Sequence, residues 1–346
     1  MTSKADLLSR EIQHVSLDDY NPVPLVEAMG DMAFQARNLH RAATIYERML
    51  RDPECTVIVC LAGSLVSAGL KSVLIQMVER GMVDVLVSTG ANLVDQDFFE
   101  GLGFRHYVGD PEADDNQLRE LGIDRIYDTY INEDELRVCD HTVAQIASEL
   151  PPRAHTSREF LAAMGRHLDQ LDQGDSILRS AYRHDMPVFC PAFSDCSAGF
   201  GLALHQDAAD RQGAAHLTLD AARDFLELTR IKIASEQSGL LMIGGGVPKN
   251  FAQDIVAGAD VLGHDVPMHR YAVQLTVADS RDGALSGSTL KEACSWGKVS
   301  TENEQMVFGE ATVLLPLLAG YAYHKKAYEG REHRRLQKMF APAETA

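Results

Sequence analysis

Lys298 closes the run Lys291-Glu292-Ala293-Cys294-Ser295-Trp296-Gly297-Lys298 and stands just beyond the chain's single tryptophan. An ammonium has no free lone pair, but partial burial beside apolar groups lowers a lysine pKa and frees the amine for imine chemistry. The same run also suits a surface lysine whose stem lies over an aromatic ring. Its surroundings decide between a nucleophile and a solvated side chain.

Further candidates lie where the expected strands end. In a doubly wound parallel sheet, ligands bind outside the carboxyl ends of the strands, where glycine and small hydroxyl residues let phosphate approach the backbone. Gly63-Ser64, Ser88-Thr89-Gly90, Ser194-Asp195 and Gly244-Gly245-Gly246 each follow an apolar run. Each alone is what a tight turn needs; together on one edge they point to a dinucleotide site. The G-x-G-x-x-G fingerprint is absent, so an ordinary Rossmann dehydrogenase is not indicated. Asp195, Asp279, Asp282 and Glu292 could hold an amine or a ribose hydroxyl, and the same residue types cap helices and form turns, as Asp282-Gly283 does commonly. His264 and His269 flank a loop and could carry protons, or serve structure alone.

The elements that must position these residues are legible as periodicities. Leu25, Met29, Met32, Ala36, Leu39, Ala43, Tyr46 and Leu50 recur at steps of four and three after Pro22 and Pro24, which predicts one long amphipathic helix over 25–50. Residues 56–61, 83–87, 187–193, 239–243 and 271–277 read as strands, the last of them the final clear strand before Lys298. Residues 65–80 read as a helix stopped by Gly81, and 110–183 as helices and loops broken at Pro151-Pro152. Strand-loop-helix units in succession predict an α/β fold, a doubly wound parallel sheet with helices on both faces. The expected division is an N-terminal extension over 1–20, a single elaborate domain over 21–325, and a basic C-terminal helix or tail over 326–346. In that tail Lys325, Lys326, Arg331, Arg334, Arg335 and Lys338 read as a solvated helix face.

Composition narrows the function. The 346 residues are 45% hydrophobic, enough for a large core. A net charge of −18 argues against nucleic acid, whose phosphates it would repel, and suits a cationic small molecule. The six cysteines show no metal-ligand spacing and read as reduced core residues. No apolar run is long enough to span a bilayer and no signal-peptide pattern opens the chain, so the expected location is the cytoplasm, without membrane contact.

Ser295-Trp296-Gly297-Lys298, with Gly244-Gly245-Gly246-Val247 upstream and Gly309-Glu310-Ala311-Thr312 downstream, resembles deoxyhypusine synthase. The resemblance extends over roughly residues 20–325 and takes in 82–87, Pro187-Val188-Phe189 and the order of the strand ends. It implies a modified Rossmann fold, a homotetramer, NAD bound near subunit interfaces, and a lysine that carries the substrate as an imine. By position Lys298 matches that lysine. Glu292 and Trp296 match positions lining the amine tunnel. Ser64, Ser67, Thr89, Gly90, Asp195, Gly245, Ala278, Glu310, Ala311 and Thr312 match positions that contact NAD, while Asp282 and Ser286 fall in the active-site loop.

Departures from the family pattern concern the substrate. Phe200 replaces an acidic tunnel residue, Asn250 a histidine and Leu285 a second loop aspartate, whereas Asp95 shortens a glutamate implicated in proton handling. The amine pocket is thereby less charged, which resembles the deoxyhypusine synthase-like branch of bacteria and archaea. That resemblance implies a transferase that moves a four-carbon aminobutyl or guanidinobutyl unit between free amines such as agmatine, putrescine or spermidine, as in homospermidine or 1,9-bis(guanidino)-5-aza-nonane synthesis. Modification of a protein lysine, a non-catalytic NAD-binding paralogue and a plain amine dehydrogenase are the competing readings.

Overall fold

A computed structural model describes residues 3–341. Strands β1 (Cys55–Leu61), β2 (Val85–Ser88), β3 (Val188–Phe189), β4 (Gln237–Ile243), β5 (Tyr271–Thr276) and β6 (Glu304–Phe308) form one sheet in the order β6-β5-β4-β1-β2-β3. Every neighbouring pair in it is parallel. This is the doubly wound order whose direction reverses between β1 and β4, the point where such sheets take ligands.

The apolar run of β1 shows why the sheet is covered on both faces. Val57, Val59 and Leu61 join a core containing Leu39 and Tyr46 of Phe34–Arg51, Val73 and Leu74 of Lys71–Glu79, and Leu315 and Leu318 of Ala311–His324. Ile58 and Cys60, pointing the other way, join Leu228 and Ile231 of Ala221–Ala234, Ala252 of Gly246–Gln253, and Leu290 and Ala293 of Leu290–Ser295. Side chains alternate across a strand, so a run apolar at every position belongs in a sheet with helices on each side.

Several expected elements differ. The helix predicted over 25–50 is two, Val23–Met29 and Phe34–Arg51. Gly30 ends the first, and a Cβ there would meet the Glu27 carbonyl oxygen and the His40 ring at 3.1 Å. Because the second helix resumes on the same side of the sheet, the apolar spacing hides the break. The helix expected over 65–80 opens as wide π turns over Val66–Leu70, with Gly69 at φ 96°, before Lys71–Glu79, and Gly81 stops it at φ 66°. The middle segment holds helices but also an antiparallel sheet of Tyr107–Val108, Ile123–Ile126 and Thr129–Asn132 that the sequence reading missed. Edge strand β6 was missed as well: its Glu304 and Gln305 are only half-buried, so no continuous apolar run announces it.

The basic tail is not a solvated helix face. The helix Ala311–His324 ends where the tail begins, and the chain crosses the amino end of the sheet before a short 3-10 turn, Leu336–Phe340. The Arg331 guanidinium is buried and donates to Asp84 at 2.7 Å, to the Gly81 carbonyl at 3.0 Å and to the Leu50 carbonyl at 3.1 Å. The expected tail over 342–346 lies outside the described residues. At the other terminus, residues 15–17 bond to the body, with Val15 donating to the Gly69 carbonyl at 3.1 Å and Leu17 to Gln76 at 2.7 Å. Of the cysteines, Cys196 and Cys294 are only partly buried, while the other four lie in the core. No described helix is long and apolar enough to cross a membrane.

Candidate active site

With the strands parallel, all their carboxyl ends share one edge, and the residues matched to NAD positions fall there. Ser64 and Ser67 follow β1, Thr89 and Gly90 follow β2, Asp195 lies beyond β3, Gly245 follows β4, Ala278 follows β5, and Glu310, Ala311 and Thr312 follow β6. At the reversal between β1 and β4, Gly63 takes φ 78° and a Cβ on it would meet nothing within 4 Å, leaving open space above the turn. The turns on either side of that space are braced from below. Asn92 accepts from the Leu65 N–H at 2.8 Å and donates to the Thr89 hydroxyl at 3.2 Å, and Gln96 accepts from the Ser67 N–H at 2.9 Å. Gly90 packs so tightly that a Cβ on it would stand 2.2 Å from Cys196 Sγ. Glu310 caps Ala311–His324, its carboxylate accepting from the Thr312 N–H at 2.8 Å. Beside this edge the Asp95 carboxylate accepts from the Ser197 N–H at 2.8 Å, and burial pushes its pKa up to about 6.

The loop after β5 is clamped down against the helix after β4. Lys249 is fully buried, and its ammonium donates to the Ser288 carbonyl at 2.5 Å, the Ser288 hydroxyl at 3.0 Å and the Leu285 carbonyl at 3.3 Å. Burial lowers its pKa to about 8, with the Glu292 charge acting in the opposite direction. Gln274 of β5 donates to the Gly244 carbonyl at 2.9 Å and the Ser286 carbonyl at 3.1 Å. Gly245 lies flat against Ser286, where a Cβ would come within 2.5 Å of the Ser286 Cα. Within the loop Asp282 accepts from the Ala284 N–H at 2.7 Å, the turn role its sequence allowed.

Lys298 sits at the far end of the next helix, Leu290–Ser295. Thr289 and Glu292 form a capping box there, with the Thr289 hydroxyl accepting from the Glu292 N–H at 3.0 Å and the Glu292 carboxylate from the Thr289 N–H at 3.3 Å. Gly297, at φ 69°, turns the chain out of the helix, and the Lys298 N–H returns to the Ala293 carbonyl at 3.1 Å. The Lys298 carbonyl accepts from the His269 N–H at 2.9 Å. His269 is completely buried, between Ser238 at 2.9 Å and the Ala252 carbonyl at 3.1 Å, and burial holds its pKa well below the ordinary value. It is a structural histidine that fixes the lysine's backbone. His264 is exposed.

The lysine side chain enters a groove of about 560 Å³ between Ala221–Ala234 and Ile255–Val261, lined by apolar residues such as Phe225 and Leu262. Its Nζ lies 5.2 Å from the centroid of the Trp296 ring and pairs with the Asp254 carboxylate. The other oxygen of that carboxylate accepts from the Asn250 side-chain amide at 2.7 Å. Only 14% of the Lys298 side chain is exposed, against 69% for Trp296. The structure thus brings Lys298, Trp296 and Asn250 together. Glu292 is held in its cap, Asp282 and Ser286 lie in the clamped loop, and no carboxyl-edge residue lines the lysine's groove. Asp254 was missed by the sequence reading; the signal available was its place one helical turn after Asn250, on the same face. Phe200 and Leu285 are 66% and 37% exposed.

Comparison with known proteins agrees with this arrangement. The deoxyhypusine synthase family model matches residues 24–322. A deoxyhypusine synthase-like protein of Chlorobaculum parvum is 61% identical over 340 residues, covering 97% of this chain and 96% of its own. One from Coxiella burnetii is 53% identical over 340 residues, with the same coverage. The crystal structure of an Entamoeba histolytica protein assigned as a deoxyhypusine synthase superposes with a TM-score of 0.59 at 18% identity, over 90% of this chain and 97% of the other, and so speaks to the fold alone. With family model and sequence relatives in agreement, this chain belongs to the deoxyhypusine synthase family, in the deoxyhypusine synthase-like branch found in bacteria.

Proposed function

We propose that this protein moves a four-carbon aminobutyl or guanidinobutyl unit from one amine to another, carrying the unit on Lys298 as an imine. The observation that carries the proposal is the placement of Lys298: largely buried at the end of an apolar groove, beside an exposed indole, with its backbone fixed by a buried histidine. An amine held in such a place is a usable nucleophile.

The carboxyl edge suits a dinucleotide. The open space above Gly63, the hydroxyls of Ser64 and Thr89, and the carboxylates of Asp195 and Glu310 offer room for phosphate and partners for ribose. NAD bound there would take a hydride from the amine carbon and later return it, leaving no net redox change. The chain's own residues do the rest. Trp296 offers its face to the alkyl chain and its charged end. Once a second copy covers the groove, its apolar walls would exclude water that could hydrolyse a lysine imine. Lys249, Gln274 and Gly245 hold the loop bearing Asp282 and Ser286 in one position. Because the groove is open on a single chain and separate from the carboxyl edge, a second copy packed across it would complete the site, in keeping with a homotetramer.

Phe200, Asn250 and Leu285 leave the surroundings with fewer charges to pair against a polycation, which favours a free small amine over spermidine-dependent modification of a protein. A product screen by mass spectrometry with agmatine, putrescine and spermidine, each with NAD, tests this. The expected result is a secondary amine joining two substrate units. Transfer of label from spermidine to a lysine of a precursor protein would overturn the small-molecule reading, and NADH released in step with amine consumption would replace transfer by dehydrogenation.

A further inference from the structure

We infer that Asp254 is the acid–base partner of Lys298: it accepts the proton that the lysine must lose and serves as counter-ion to the lysine imine. The inference rests on the imine reading above. Its own support is geometric. One Asp254 oxygen contacts Lys298 Nζ, the reacting atom, and the other is fixed by the Asn250 amide at 2.7 Å. Asn250 cannot itself take up a proton at ordinary pH, since a carboxamide does not titrate there. The remaining groove-lining residues, Ala222, Phe225, Leu226 and Thr229 from one wall, Ala257, Gly258, Val261 and Leu262 from the other, and Trp296, carry no charge. Among the described residues, Lys298 therefore faces a single titratable side chain within its groove, and that side chain is oriented.

The chemistry closes on this pair. At rest the ammonium and carboxylate neutralise each other. On reaction Lys298 Nζ gives a proton to Asp254, and its lone pair bonds to the electrophilic imine carbon of the oxidised amine, whose C=N π electrons move to the departing nitrogen. Protons lost from Nζ pass through Asp254 to that nitrogen. The old C–N bond breaks, its electron pair leaves with the departing amine, and the Nζ lone pair forms the new C=N bond. The departing amine carries away as many protons as Nζ has lost. Asp254, a carboxylate again, faces a positively charged iminium in place of the original ammonium. The return transfer to an acceptor amine reverses these steps.

The test needs no cofactor. Butanal, a four-carbon aldehyde, forms an imine directly with an amine and loses water, and borohydride fixes it on the protein; peptide mapping then reads the extent at Lys298 as a function of pH. The wild type should trap butanal on Lys298. In Asp254→Asn the alkaline limb of the trapping profile should move down by about one pH unit or more, because the iminium has lost an adjacent opposite charge. The trapping rate near neutral pH should fall about 100-fold, the lower end of what a positioned acid–base group contributes. Asp254→Glu should restore part of both. Asn250→Ala keeps the carboxylate but frees its orientation, so it should slow trapping with a smaller movement of the limb; it also provides the reading if Asp254→Asn does not fold. An unchanged rate and limb in the folded variants would overturn the role of Asp254 while leaving the imine reading intact. Absence of trapping on Lys298 in the wild type would overturn both.

Discussion

Replacing Lys249 by methionine separates what this lysine does for the fold from what it does for the loop above it. The ammonium is fully buried, and its hydrogen-bond partners are the neutral acceptors Ser288 O, Ser288 Oγ and Leu285 O. Its pKa falls from 10.5 to about 8, and burial is the principal cause. The unfolded chain therefore holds this proton more tightly than the folded one, and stability rises with pH between the two values. At about pH 7.5 the charged form costs the native state about 3 kcal/mol, and at about pH 10 less than about 1 kcal/mol. Methionine removes this dependence along with the hydrogen bonds. The expected outcome is that the wild type gains about 2 kcal/mol over Lys249→Met between about pH 7.5 and about pH 10, read by denaturant unfolding at one fixed protein concentration. At neutral pH the relieved desolvation and the lost hydrogen bonds nearly cancel, so the two proteins should differ there by no more than about 2 kcal/mol. Hydrogen exchange over 278–288 should nevertheless rise at least about 10-fold in the variant, because that loop loses its anchor. A stability difference that does not change with pH, or a loop as protected in the variant as in the wild type, would refute the reasoning.

Other outcomes follow from the same packing. Arg331→Met should cost about 3–5 kcal/mol, because it leaves the buried Asp84 carboxylate without its closest cation; urea unfolding measures this, and a loss under about 1 kcal/mol would show the tail to be dispensable. Gly90→Ala should cost about 1–3 kcal/mol through collision with Cys196 Sγ, and Gly90→Ala combined with Cys196→Ala should recover part of it, since the sulfur is gone but the Cys196 Cβ still stands 2.7 Å from the added methyl. Fluorescence titration with NAD checks whether that turn also serves the nucleotide: binding should weaken in the single variant and recover in part in the double.

The sheet was legible because its strands advertise themselves. β1 is apolar from Val57 to Leu61 and β4 from Leu240 to Ile243, as strands buried on both faces must be, and the glycines after these two strands mark a shared edge. β6 carried no such signal, since an edge strand leaves Glu304 and Gln305 half exposed, and the break at Gly30 was masked because two helices on one face keep a common spacing. In the site, Lys298 and Trp296 were visible as a pair. Asp254 was not, for an aspartate at the junction of two helices looks like any solvated residue until the fold lays that junction beside the lysine. Lys249 was passed over for a related reason: a lysine beside Asn250 reads as polar surface, and only tertiary packing draws it fully inside. The tail misled in the opposite direction, because basic residues that suit solvent also suit the carbonyls and the aspartate at the amino end of the sheet.

The most direct test of the imine account is borohydride reduction during turnover with NAD and each candidate amine, followed by peptide mapping. The account predicts a four-carbon amine adduct on the peptide containing Lys298, formed only when NAD and a donor amine are both present, and lost in Lys298→Arg. Turnover with no adduct on Lys298, or an adduct on a different lysine, would contradict it.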